Sequence, residues 1–287
     1  MPHINPSIQV TSLPSGAVVP VLGQGTWQLG EGGRPRAEEI AALRTGIDLG
    51  MTLIDTAEMY GNGASESLVG EAIAGRRDDI FLVTKVLPRN AGKRSAMAAC
   101  EASLKRLRTD RIDLYLLHWP GNIPLADTVE AFRTLQDQCK IAGWGVSNFD
   151  LPDMKHLVQL VPADDETTVQ TNQVLYNLTR RGIEFDLLPW CRQRGMPIMA
   201  YSPLEQGRLM AHKEITVLAR RHNATEAQIA LAWVLAQPGV IAIPRSGSSA
   251  HVRENQAAAG IRLTGEDVSE LDAVFRAPAR RVPLEVL

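Results

Sequence analysis

Apolar positions along the chain follow two alternating rhythms. Short, nearly continuous apolar runs at Thr52–Asp55, Ile80–Lys85, Ile112–His118, Gly143–Ser147, Thr168–Gln173, Pro197–Tyr201 and Val240–Pro244 predict strands buried on both faces. Between them lie longer stretches with apolar residues three or four apart, which predict helices. Ile40, Leu43 and Ile47 share a face of Arg36–Leu49, and Gly50 supplies its stop; Leu68, Val69 and Ile73 do the same in Ala64–Ala74. Further helices are predicted over Lys93–Leu107, Leu125–Lys140, Pro152–Leu160, Gly182–Arg194, Lys213–His222, Thr225–Gln237, Ala250–Ala259 and Gly265–Phe275. Thr264, with Asp267 three residues on, gives the last of these a capping arrangement. At the start of the chain, Ser7–Val19 predicts a hairpin turning at Pro14-Ser15-Gly16, and Val19–Gly25 a short strand.

Strand followed by helix, repeated about eight times, indicates an α/β protein with a parallel sheet covered by helices, and eight units close into a (β/α)8 TIM barrel. A doubly wound open sheet is the rival. It places a glycine-rich turn directly between the first strand and a helix. Here Gly23-Gln24-Gly25-Thr26-Trp27 leads instead into a second glycine-rich loop, Gly30-Glu31-Gly32-Gly33. No linker or composition shift divides residues 1–287, so one domain is expected.

Composition narrows the function more than the fold. With 45% hydrophobic and 22% charged residues and a net charge of −2, the chain has no basic footprint for nucleic acid. The N-terminus lacks a basic region followed by an apolar core, and no apolar run approaches the roughly 18 residues that span a bilayer. A cytoplasmic protein without membrane partners is expected, and a monomer, since no extra interface segment stands out. Cys100, Cys139 and Cys191 are far apart and fall in predicted helices, which reads as separate thiols rather than a metal cluster.

In a barrel, the C-terminal ends of the strands share one mouth, where the chemistry sits. Asp55, Lys85 and His118 end predicted strands, and Tyr60 follows Asp55 in a loop. Singly, each has a plain structural reading: a cap or ion-pair partner, a solvated strand end, a core histidine, a loop aromatic. Jointly they suit protonation of an oxygen that gains negative charge. A phenol near its reference pKa of about 10 is a poor acid at neutral pH unless an ammonium stabilises its phenolate, and a carboxylate would hold that ammonium in place. Hydride addition to a carbonyl is such a reaction. A proton-abstracting isomerase or lyase is an alternative. No metal is implied, because one histidine and one carboxylate fall short of a ligand set.

These residues sit inside a longer series of motifs: Gly23-Gln24-Gly25-Thr26-Trp27, Leu53-Ile54-Asp55-Thr56-Ala57 through Tyr60-Gly61, Thr84-Lys85, Leu116-Leu117-His118-Trp119-Pro120, Gly143 to Phe149, Thr171-Asn172-Gln173, Ala200 to Leu204, and Ile243-Pro244-Arg245-Ser246 to Asn255. In that order the chain resembles the aldo-keto reductase superfamily, and looks most like its bacterial members that reduce methylglyoxal and related small aldehydes. The resemblance implies a catalytic tetrad of Asp55, Tyr60, Lys85 and His118, with Tyr60 the general acid. It implies NADP as cofactor, with NADPH preferred over NADH. Gly25, Thr26, Trp27 and Asp55 would lie along that cofactor; Ser147, Asn148 and Gln173 would meet the nicotinamide carboxamide and Tyr201 its ring. Ser202, Pro203, Leu204 and Gln206 would line the pyrophosphate, Arg245 and Ser246 the 2′-phosphate, and Glu254 and Asn255 the adenine. His251 stands where many relatives carry a second arginine, and Gly247 replaces an aromatic common in animal members, so a looser, partly pH-dependent clamp is expected. Trp27, Leu87 and Trp119 are expected to wall a pocket for small and aromatic aldehydes and ketones. Only Ala277–Leu287 follow the last predicted helix, which suggests an open, permissive mouth. A nicotinamide-binding regulatory module with little turnover is the alternative within the same superfamily.

Overall fold

The computed structural model describes residues 8–161 and 169–287. An antiparallel hairpin, β1 (Val10–Ser12) and β2 (Val18–Pro20), precedes eight strands that form one parallel sheet in chain order. They are β3 (Gln24–Gly25), β4 (Leu53–Asp55), β5 (Phe81–Val86), β6 (Ile112–Leu117), β7 (Ile141–Ser147), β8 (Asn172–Leu175), β9 (Ile198–Tyr201) and β10 (Val240–Ala242). Parallel bridges Leu22–Ala242 and Gly25–Arg245 join the two edge strands, so the sheet closes into a barrel. Helices α1 (Arg36–Asp48), α2 (Ala64–Ala72), α3 (Lys93–Leu107), α4 (Leu125–Asp137), α5 (Leu151–Gln159) and α6 (Leu187–Arg192) each follow a strand. Next come α7 (Lys213–Arg221) and α8 (Glu226–Leu235), then α9 (Ser249–Ala257) and α10 (Gly265–Val274) after the last strand. None of the described helices is long and apolar enough to cross a membrane.

Two apolar cores follow from the strand period of two. Leu53, Val83, Leu114, Leu116, Met199, Ile241 and Ile243 form an inner cluster, and the hairpin adds Leu13 and Val19 to it. The alternate residues Ile54, Leu82, Tyr115 and Leu117 pack in the larger cluster shared with the helices. Parity therefore sends Asp55, Lys85 and His118 to the same side as Leu53, Val83 and Leu116. Outward-facing Thr84 donates to the fully buried Glu66 of α2 at 2.6 Å, and Arg106 of α3 pairs with the same carboxylate at 2.6 Å, tying sheet to helices.

Several boundaries differ from the sequence reading for local reasons. Val19–Gly25 is not one strand. The hairpin takes Val18–Pro20, and the barrel strand starts only at Gln24, whose side-chain amide donates to Leu43 and Met51 carbonyls inside the wall. Thr168 lies outside the described residues, as does Ser7, and the strand there runs through Gln173 to Leu175 because Val174 and Leu175 pair with Ala200 and Tyr201. Gly182–Arg194 breaks into a 3-10 turn, Gly182–Glu184, and α6. Asp186 departs from helical geometry between them, and Pro189, which has no N–H to give, fits only in a first turn. Cys139 sits beyond α4 in a left-handed conformation, exposed, whereas burial pushes the Cys100 and Cys191 thiols up to about 12. The predicted cap of α10 is present: Asp267 N–H donates to Thr264 Oγ1 at 3.1 Å, and Thr264 N–H to Asp267 Oδ2 at 2.8 Å.

Candidate active site

At the mouth of the barrel the Lys85 ammonium, wholly buried, donates to Asp55 Oδ2 at 2.7 Å, to the Thr56 carbonyl at 2.8 Å and to Tyr60 OH at 3.2 Å. An ammonium has three protons, so each has an acceptor. The other Asp55 oxygen accepts from Gln173 Nε2 at 2.7 Å. Tyr60 opens the 3-10 turn Tyr60–Gly63, in which Gly61, Asn62 and Gly63 all have positive φ. That sharp reversal brings the phenol back over the end of β4 and lets α2 begin at Ala64. His118 follows β6 directly; its ring meets the Tyr60 ring edge-on with centroids 5.9 Å apart, and its Nδ1 is buried without a partner.

The electrostatics follow from this burial. Burial alone would push Lys85 down, but the Asp55 carboxylate and the Tyr60 oxygen together hold it above the ordinary lysine range. Burial raises the Asp55 carboxyl against the pull of Lys85 and Gln173, while both its oxygens accept from donors. Burial also raises Tyr60, and outweighs the nearby ammonium, contrary to the expectation from sequence that Lys85 favours its phenolate. The phenol therefore holds its proton. Burial, and secondarily Lys85, push His118 down to about 2, so its imidazole is neutral at any ordinary pH.

The ends of β7 to β10 carry a second group of polar side chains. Ser147 donates to the Gln173 carbonyl at 2.9 Å, and Asn148, in a left-handed conformation, donates to the His118 carbonyl at 3.1 Å. Tyr201 donates to Asn148 Oδ1 at 3.0 Å, which links both groups. Beyond it Ser202, Glu205, Gln206 and Gly207 have positive φ, and the loop is held by Asn177, which donates to the Ser202 carbonyl at 2.9 Å and to Glu205 at 2.8 Å. Arg180 pairs with Glu205 at 3.1 Å and with Glu285 at 2.6 Å. Pro203 is buried, Leu204 half-buried and Gln206 exposed. Arg245 is exposed and bonded to Gln28, Ser246 bonds the backbone of Ser248 at the start of α9, and His251 and Glu254 are exposed on α9 beside the buried Asn255.

Not every predicted contact faces the mouth. Gly25 is inside the barrel wall, where an added Cβ would lie 2.7 Å from the Ile243 carbonyl. Thr26 is fully buried; its hydroxyl donates to the Asp55 carbonyl at 2.9 Å and accepts from Ser65 at 2.8 Å, which makes it a support of the strand end. Gln173 adds a bond to Asp55 that nothing in the linear pattern signals, since strand parity shows a facing direction but not a partner across the barrel. Leu87 and Trp119 line a cavity of about 430 Å³ formed by residues 87–89 and 119–123, and Trp27, 41% exposed, is not in its wall. Residues after α10 are not free of the mouth. Arg281 pairs with Asp150 and Asp186, and Leu287 N–H donates to Tyr201 OH at 3.4 Å.

A parallel barrel with a buried Lys–Asp–Tyr cluster at its mouth is the frame of a carbonyl-reducing enzyme, and the chain belongs to the aldo/keto reductase family, whose model matches residues 21–276. Among its relatives is methylglyoxal reductase YeaE of Escherichia coli (strain K12), 50% identical over 274 residues that cover 94% of this chain and 95% of the relative. Glyoxal reductase of Bacillus subtilis (strain 168) is 34% identical, with 91% of each chain covered. The crystal structure of an aldo/keto reductase from Klebsiella pneumoniae in complex with NADP and acetate superposes with a TM-score of 0.93, at 49% identity, covering 98% of this chain and all of that one (100%). Among the described residues no group of three or more His, Cys, Asp or Glu is placed to hold a metal ion.

Proposed function

We propose that the chain reduces small aldehydes and ketones, methylglyoxal and aromatic aldehydes among them, to alcohols with NADPH. The observation that carries the reading is the Lys85 ammonium placed between Asp55 Oδ2 and Tyr60 OH, at 2.7 and 3.2 Å. The donors at the strand ends fit the dinucleotide. Ser147, Asn148 and Gln173 are amides and a hydroxyl suited to a carboxamide, and Tyr201 offers a ring for the nicotinamide. Trp27, exposed, stands on the other side, while Gly25 and Thr26 act from within the wall, Thr26 through its hold on Asp55. The bent loop of Ser202, Pro203, Leu204 and Gln206 serves the pyrophosphate. Arg245 and Ser246, beside the first N–H groups of α9, suit a dianionic 2′-phosphate, with His251, Glu254 and Asn255 around the adenosine.

NADPH, when bound, supplies a hydride to the carbonyl carbon. Tyr60 gives its proton to the carbonyl oxygen as charge develops there, and Lys85 stabilises the phenolate left behind. Asp55, fixed by Gln173, holds the ammonium in place. His118, kept neutral, orients the carbonyl oxygen beside Tyr60. We further read the chain as one domain, a cytoplasmic monomer acting on small molecules and on neither nucleic acid nor membrane.

Tyr60→Phe removes the proton donor and leaves the ring. Reduction of methylglyoxal should fall by at least about a hundredfold, within the usual range for loss of an acid catalyst. NADPH binding, followed by quenching of protein fluorescence, should change little. Wild-type turnover in that variant would end this reading.

A further inference from the structure

The cavity between the loops that follow β5 and β6 has one charged residue in its wall, Arg89. The rest of the lining is apolar or neutral: Leu87, Trp119, prolines, a glycine, Asn122 and Ile123. Arg89 is exposed, and its guanidinium makes no ion pair or hydrogen bond among the described residues, although most arginines of this chain are paired. Its backbone is fixed. Arg89 is the middle residue of the 3-10 turn Pro88–Asn90, and Glu58 clamps that turn by accepting from Leu87 N–H at 2.7 Å and Asn90 Nδ2 at 2.9 Å. Glu58 lies between Asp55 and Tyr60, so one short segment sets both the phenol and the turn. The opposite wall is equally close: a Cβ on Gly121 would lie 2.4 Å from Pro88, and the Trp119 ring stands 4.8 Å from that of His118. The cavity thus adjoins His118 through the Trp119 ring that forms part of its wall, and it carries an unpaired cation.

We propose that Arg89 is a specificity residue that binds an anionic group on the substrate, so that this enzyme favours aldehydes whose far end bears a carboxylate or a phosphate. The inference rests on the carbonyl reduction proposed above. A guanidinium fork matches either anion, and a cavity with no carboxylate in its wall offers nothing to repel one. The bound anion lies along the apolar wall with its carbonyl directed to Tyr60. Neutral aldehydes enter the same space without this contact, and so bind more weakly.

Steady-state kinetics with NADPH test this on two matched pairs, 4-oxobutanoate against its methyl ester and glyceraldehyde 3-phosphate against glyceraldehyde. The wild type should favour the anion of at least one pair by about tenfold in kcat/KM, carried mainly by KM, as one charge-assisted contact implies. Whichever pair shows the preference identifies the anion. In Arg89→Met that ratio should collapse towards one, and Arg89→Lys should restore part of it. A wild type with no preference in either pair overturns the proposal, as does a ratio that survives Arg89→Met. Methylglyoxal serves as the control for the underlying reaction. If no carbonyl is reduced at all, the reading of Tyr60 fails, and calorimetric titration of succinate or inorganic phosphate into the NADPH-loaded protein still decides the role of Arg89. Binding that Arg89→Met weakens about tenfold supports the anion site, and equal or absent binding overturns it.

Discussion

His118 shows how one residue's surroundings set its chemistry. Burial holds its imidazole neutral, with a pKa of about 2 in the folded chain against about 6.5 when unfolded. Because the unfolded chain takes up a proton that the folded chain refuses, stability is complete above pH 6.5 and is lost as pH falls below it. Between pH 7 and pH 5 His118 should cost the wild type about 2 kcal/mol. Urea unfolding of His118→Gln at the two pH values checks this: the stability gap between variant and wild type should shift by that amount in the variant's favour at pH 5. An unchanged gap would mean that His118 takes a proton in the folded state. Lys85 is the opposite case. Its partners outweigh its burial, so the charge survives where an isolated lysine would lose it. Sequence spacing placed these residue types at strand ends and pointed to a charged Lys85 beside Asp55, but the direction of the His118 shift was not legible, because depth belongs to the folded chain.

Elements carry the geometry that side chains rely on. β3 is only Gln24–Gly25, yet it closes the barrel against the segment after β10 through the bridge between Gly25 and Arg245. An added methyl group at Gly25 would stand 2.7 Å from the Ile243 carbonyl, which is backbone and cannot swing aside as a side chain could. Gly25→Ala should destabilise the fold by about 2–3 kcal/mol, the cost of overpacking a fixed seam, and loosen the attachment of Arg245. Chemical denaturation reads the first effect, and the Kd for NADPH the second. A variant as stable as wild type would show that the seam relaxes freely. The strand and helix order was readable from apolar rhythm, whereas the shortness of β3 was not. Besides β4, its partners across the closing seam lie over 200 residues away at Pro244 and Arg245, and no local pattern reports a seam of that kind. The break at Asp186 ahead of α6, by contrast, was open to a closer local reading, because Pro189 is tolerated only in a first helical turn.

For the whole molecule, the site joins loops from most of the barrel strands, so a ligand held there ties the folded state together. NADPH at about a hundred times its Kd should add about 2.7 kcal/mol to stability, a rise of several degrees in Tm for a chain of this size. NADH at the same concentration should raise Tm less, since it lacks the phosphate for Arg245 and Ser246, and thermal unfolding with each cofactor measures the difference. Equal shifts would remove the case for a 2′-phosphate site. By itself the sequence determined the α/β repeat, the barrel, the residue types at the strand ends and the family, because strand period and motif order are properties of the linear chain. Only the tertiary structure decided that Gln173 completes Asp55, that Thr26 supports the wall instead of facing the mouth, that Arg180 links the loop at Glu205 to Glu285, and that Arg89 stands unpaired in a cavity. Each of these depends on which side chain meets which across the closed barrel, and that is fixed by register, depth and packing between segments far apart in the sequence.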